Sequence, residues 1–268
     1  MRASKQERNV TMAGCCRMGR TYRLLNGQIA ALFFDVDGTL LECQPYYDRA
    51  IQSFGHLMEM CGFDKEHAIR TLREIDLSNT HMYGFERDRF PNSMRATYSR
   101  LCQEKSISEL SAISEICQDI GNSPLFRPPV LFPDAAAVLG RAHNNFYMVA
   151  VTIGNREAQQ FKISKGGLDP FFDDVIITPN DNKSERVRDV IADLNIDARL
   201  SAFIGNSRRS DGCCLTETNF IHLPLEQGWQ FDHSDLPANT GFQVFEAKSW
   251  LETEERGIER LLRQRERL

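Results

Sequence analysis

Short apolar runs punctuate the chain at ALFF (31–34), FYMVAV (146–151), DVIIT (174–178), LSAFI (200–204) and NFIHL (219–223), each bounded by polar residues, Gly or Pro. Their length and β-branched or aromatic content predict buried strands. Helical patterns lie between them. Pro133 opens PDAAAVLGRAH, REAQQFKISKGG ends on a glycine pair, and SERVRDVIADL sets Val187, Val190, Ile191 and Leu194 on one face. This alternation predicts an α/β fold, a doubly wound and mainly parallel sheet whose ligand loops sit outside the carboxyl ends of the strands. A last strand at FQVF (242–245) is expected before a helix that opens with a Ser249/Glu252 capping-box pattern.

Residues 44–130 break the rhythm. YYDRAIQSFGHLMEMCG carries Ile51, Phe54, Leu57 and Met58 at helical spacing, and HAIRTLREID, NSMRATYSRLCQEK and SELSAISEICQDIG follow with no strand among them. Residues 29–43 and 131–268 then form a Rossmann-like core, and 44–130 an inserted all-α cap over the strand ends. Within the cap, NTHMYGFERDRFPNS (79–93) is the least helix-like stretch and offers His81, Tyr83, Arg87 and Arg89 to a polar ligand, with a plain surface loop as the alternative. Tyr46 and Tyr47 stand at the cap's entrance, as lining residues or as hinge and packing groups.

Composition narrows the function classes. A hydrophobic share of 41% among 268 residues supports a real core, and a net charge of −5 with a pI near 5.7 argues against a chain-wide grip on nucleic acid. The eight Cys lack paired CxxC spacing, and His56, His67, His143, His222 and His233 show no metal-site spacing. With neither a secretory segment nor a membrane-length apolar run, a reducing, cytoplasmic setting with free thiols is expected. The opening 1–28, with six basic residues and one Glu before residue 24, is expected to be a tail outside the fold. Trp229 and Trp250 read as structural.

The candidate chemistry sits at the strand ends. After FFDVDGTLL begins extended, Asp35 and Asp37 at i and i+2 lean to one side and can divide nucleophilic and acid–base work. Thr152 follows the second run, with Gly154 and Asn155 opening a helix whose N–H groups suit an anion. Lys183 precedes the next helix and can neutralise charge. GNSRRSD brings Asn206 and Asp211, oxygen donors for a hard cation such as Mg²⁺. Each has a dull alternative alone: an acidic turn, a helix cap, a solvated lysine. Their common order at strand ends does not.

In that order, DVDGT, Thr152, Lys183 and GNSRRSD resemble the four motifs of the haloacid dehalogenase superfamily, with the helical insert in place of its cap. The resemblance spans roughly residues 30 to 225. It implies that Asp35 is a nucleophile forming an aspartyl-phosphate and that Asp37 protonates the leaving oxygen and then activates water. It further implies that Thr152 holds a phosphoryl oxygen, that Lys183 offsets charge, and that Mg²⁺ rests on Asp35, the Asp37 carbonyl and the fourth loop at Asn206 and Asp211. Gly38, Thr39, Gly154, Asn155 and Arg209 are the remaining candidates for phosphate or substrate contact; Arg209 has solvent as its alternative. Asn206 stands where the superfamily commonly has Asp, and Ile153 where one branch often has Lys. Dehalogenases usually lack the second Asp, so the resemblance favours a phosphatase acting on a small-molecule phosphate ester, ahead of a phosphomutase, a dehalogenase or a silent phosphate-binding or partner-binding member.

Overall fold

The computed structural model describes residues 9–11, 21–23, 28–125, 127–225 and 234–267. Two short strands, β1 (Asn9–Thr11) and β2 (Thr21–Arg23), pair antiparallel, so part of the expected tail does enter regular structure. Three-residue strands are too short to show a sequence period, which is why the pattern missed them. Trp229 and His233 lie outside the described residues.

The core follows as β3 (Ala31–Phe34), β4 (Leu41–Glu42), then the helices α1 (Gln44–Met60), α2 (Lys65–Tyr83), α3 (Arg89–Glu104) and α4 (Ser111–Asn122), then β5 (Val130–Leu131), α5 (Ala135–Ala142), β6 (Tyr147–Ile153), α6 (Arg156–Lys165), β7 (Asp174–Thr178), α7 (Lys183–Asp193), β8 (Ala202–Gly205), β9 (Asn219–His222), β10 (Val244–Glu246), α8 (Trp250–Glu252) and α9 (Glu259–Arg267). Six strands form one parallel sheet in the order β10-β9-β8-β3-β6-β7. Its strands read as continuous apolar runs because both faces are covered. Side chains alternate between the faces: Leu32 and Phe34 pack with α5 and the C-terminal helix, Ala31 and Phe33 with Val187 of α7 and Leu215. The last strand starts two residues later and ends one later than FQVF predicts, and Cys213-Cys214 occupy a 3₁₀ turn, Gly212–Thr216, rather than an α-helix.

β3 lies between β6 and β8, so the chain leaves the centre of the sheet in opposite directions and opens a crevice at the carboxyl ends. The antiparallel pair β4-β5 carries the chain to and from α1–α4, and Tyr46 ties the two crossings by donating to the Pro128 carbonyl at 2.7 Å. Those helices have a core of their own, built on Phe54, Met58, Leu72, Phe90, Met94 and Leu101. α2 starts at Asp64, whose carboxylate accepts from the His67 amide at 2.7 Å, and stops at Gly84 with φ +68. Most of 79–93 is therefore helical, and the predicted loop shrinks to residues 84–88.

Candidate active site

The Asp35 amide continues the β3 ladder by donating to Ile204 at 3.0 Å, and the chain then folds back so that the Gly38 amide reaches the Leu41 carbonyl at 2.8 Å. Gly38 takes φ +81, and a Cβ on it would press on the Asn206 side chain at 3.2 Å, so glycine is required twice over. This tight return delivers both carboxylates to a cleft of about 530 Å³ between the strand ends and α1–α3. Its floor is Asp35, Asp37, Thr152, Ile153, Lys183, Asn206 and Ser207; its opposite wall includes Tyr47, Leu72, Arg73, Phe85 and Arg89.

Lys183, first residue of α7, is buried with its ammonium 2.5 Å from Asp35 and 2.7 Å from Asp211, over the Phe203 ring. Burial pulls the ammonium down, but Asp211 and Asp35 more than offset it and hold it well above its ordinary value. Burial also pushes the Asp35 carboxyl up to about 7, against the pull of Lys183. Thr39 lies 2.9 Å from Asp35 Oδ2 and 3.0 Å from Asn206 Oδ1, and its one hydroxyl proton serves one of them at a time. The Trp250 indole donates to the Thr39 carbonyl at 3.1 Å, so the residue read as structural buttresses this loop from the C-terminal helix.

Sequence reasoning missed the groups around Asp37. Its Oδ2 accepts from Lys162 at 2.7 Å and from Gln159 at 2.8 Å, both on α6, and its Oδ1 from the Cys43 thiol at 2.9 Å. Burial raises this carboxyl, but Lys162, Cys43 and Gln159 together draw it below the usual carboxylate range. Ile153 shows an apolar side chain to the cleft, and the ammonium near that loop comes from Lys162 instead.

The remaining candidates sit further out. Asn155 caps α6 by accepting from the Ala158 amide at 3.1 Å, and neither it nor Gly154 lines the cleft. Arg209 faces Asp181 at 3.4 Å, also off the cleft. Arg89 does line it, tied to Asp76 and at 2.9 Å to Thr80, whereas His81 and Tyr83 are exposed elsewhere. His222, without sequence signal, lies 3.1 Å from the Asn206 carbonyl and 2.7 Å from Glu246, bracing the fourth loop from β9 and β10.

Gly205 leaves room for the Lys183 clamp, since a Cβ there would run into the Asp211 carboxylate. Gly205→Ala is expected to overpack this spot and cost about 1–3 kcal/mol. Thermal unfolding checks it, and a wild-type Tm would show that the loop yields freely.

A family model described as haloacid dehalogenase-like hydrolase matches residues 29–211. The chain belongs to that family. No curated protein matches it. Among solved structures, a haloacid dehalogenase-like family hydrolase from Xanthomonas campestris superposes with a TM-score of 0.70 at 19% identity, covering 91% of this chain and 96% of that one. An L-2-haloacid dehalogenase from Xanthobacter autotrophicus gives 0.53 at 15%, covering 86% and 100%, and a HAD phosphatase from Thermococcus onnurineus 0.52 at 16%, covering 85% and 97%. At these identities the likeness is one of fold, shared by a dehalogenase and a phosphatase alike. This haloacid dehalogenase-like hydrolase has no helix among its described residues long and apolar enough to cross a membrane.

Proposed function

We propose that the chain is a Mg²⁺-dependent phosphatase for a small-molecule phosphate monoester, with α1–α4 as a cap over the cleft. What supports it is Asp37: a second carboxylate that opens into the same cleft as Asp35. An alkoxide leaving group needs a proton, whereas halide does not, so a positioned acid beside the nucleophile fits ester cleavage. An Asp35 oxygen attacks phosphorus, the bond to the leaving oxygen breaks, and Asp37, which its partners hold ionised and which therefore first takes up a proton from solvent, gives that oxygen its proton. Water then attacks the phosphoryl group, Asp37 takes the water's proton, and the bond to Asp35 breaks to release phosphate. Thr152 is buried at the cleft floor, where its hydroxyl can donate to a phosphoryl oxygen.

The donor set fits a hard cation. Asp35, the Asp37 carbonyl and the Asn206 amide oxygen, all at the cleft floor, offer oxygen only. Asp211 is fully buried, engaged by Lys183 and by the Ser207 amide at 3.0 Å, so it supports the site from below. When bound, Mg²⁺ supplies charge that offsets repulsion between the carboxylate and the phosphoryl oxygens. Asn206 adds no charge to it, so Asn206→Asp is expected to tighten Mg²⁺, read as a lower half-saturation and as a lower Kd by calorimetry. Equal Kd values would mean that residue 206 does not hold the cation. The described cysteines are all unpaired, in keeping with a reducing, cytoplasmic setting.

The test of the reading is phosphate release from a panel of small phosphate esters, with and without Mg²⁺, beside halide release from 2-haloacids. Magnesium-dependent phosphate release is expected. Halide release without phosphate release would refute it.

A further inference from the structure

Asp37 is held by more groups than an ion pair requires. An ionised carboxylate offers about four lone-pair directions. Lys162, Gln159 and Cys43 fill three of them at 2.7, 2.8 and 2.9 Å. That leaves one for a reacting group. Gln159 is itself anchored, since its amide nitrogen also donates to the Ile153 carbonyl at 2.8 Å, and Gly154 takes φ +142, which favours glycine, with a Cβ position 3.0 Å from that nitrogen. Gln159 and Lys162 stand three residues apart on α6 and share a face. The ordinary alternative is a structural ion pair fastening α6 to the loop after β3. Exposure speaks against it: the Lys162 side chain is 9% exposed and sealed behind, while Asp37 keeps 30% and opens to the cleft.

We propose that Lys162 is a positioning residue for Asp37: its ammonium, with the Gln159 amide, fixes the carboxylate in the orientation that meets the leaving oxygen and then the attacking water. This rests on the phosphatase reading. Lysine suits the task as a compact charge with three donors on a flexible stem that runs along the enclosed side of α6. The third donor, Cys43, is the residue immediately before α1.

The experiment uses p-nitrophenyl phosphate with Mg²⁺ as the probe and compares wild type, Lys162→Met, Lys162→Arg, Asp37→Asn and the double variant Lys162→Met/Asp37→Asn. Misplacing a reacting group by about 1 Å costs about 10²-fold. Lys162→Met is therefore expected to lose about that much in kcat with KM nearly unchanged, and Lys162→Arg to recover part of it. The double variant is expected to be no slower than Asp37→Asn alone, because Lys162 acts only through Asp37. A merely structural role predicts losses that add in the double variant, and that outcome overturns the proposal. Should Lys162→Met fail to fold, Gln159→Leu, which removes the amide but leaves the cation, carries the same comparison with Asp37→Asn. Asp35→Asn separates the two failures. If it turns over like wild type, the aspartyl-phosphate route on which the positioning role rests falls; if it is inactive while Lys162→Met keeps wild-type kcat, the positioning role alone falls.

Discussion

Asp35→Asn is expected to abolish turnover of phosphate esters, by about 10⁴-fold or more, as removal of a nucleophile does elsewhere. The fold should survive. The amide has the size of the carboxyl and keeps an oxygen for the Thr39 hydroxyl, now 2.9 Å away. Lys183 keeps Asp211 at 2.7 Å, so no buried ammonium is stranded. Burial already pushes the Asp35 carboxyl up to about 7, so its charge is held at a cost in the free protein. Exchanging it for a neutral amide should therefore leave Tm unchanged or raised. The pairing of lost activity with retained stability is the informative result, since a variant that merely unfolds would lose both. Turnover comparable with wild type at an unchanged Tm would show that phosphate leaves without Asp35.

The sheet was legible because a parallel strand buried on both faces must be apolar throughout, and nothing in ALFF, FYMVAV or LSAFI competes with that reading. Asp35, Lys183 and Asn206 were legible for a related reason: the carboxyl ends of parallel strands share one edge, so polar residues just beyond separate apolar runs converge without any knowledge of loop shape. Residues 79–93 misled because α2 and α3 turn polar side chains outward there, and the buried ones are compensated by hydrogen bonds across the two helices and back within one helical turn. Asn79 donates to Ser93 across the two helices at 3.0 Å, and the buried Thr80 hydroxyl returns to the Asp76 carbonyl at 2.8 Å. The clamp on Asp37 was hidden more deeply. Lys162 lies 125 residues from its partner, and a lysine on a helix is solvated unless shown otherwise. One signal was present: Gln159 and Lys162 share the α6 face that also buries Ala158 and Ile163, where packing on a sheet calls for apolar residues.

Lys183→Met is expected to have the largest effect on stability. The Asp35 and Asp211 side chains are 8% and 0% exposed, and Lys183 is the ammonium between them. Removing one member of a buried ionic group leaves uncompensated charge, which costs about 3–5 kcal/mol. The deficit should depend on pH with a definite sign. In wild type the Asp35 carboxyl already lies near 7, and without the ammonium it is expected to rise further, far above the value of about 3.9 in an unfolded chain. A carboxyl raised in the folded state takes up its proton there before it does in the unfolded chain. Its folded form is therefore favoured as pH falls from that value toward about 4, and no further gain follows below. Wild-type Asp35 makes the same gain below about 7, so the stability gap between Lys183→Met and wild type should be widest above the variant's raised value, narrow as pH falls from there to about 7 and stay constant below, as read from urea midpoints across the range. Adding Asp211→Asn to Lys183→Met should recover part of the loss at neutral pH by removing one of the two charges. A gap that keeps its size at every pH, or a double variant no better than the single one, would mean that the clamp at the strand ends is held by packing around Phe203 rather than by charge.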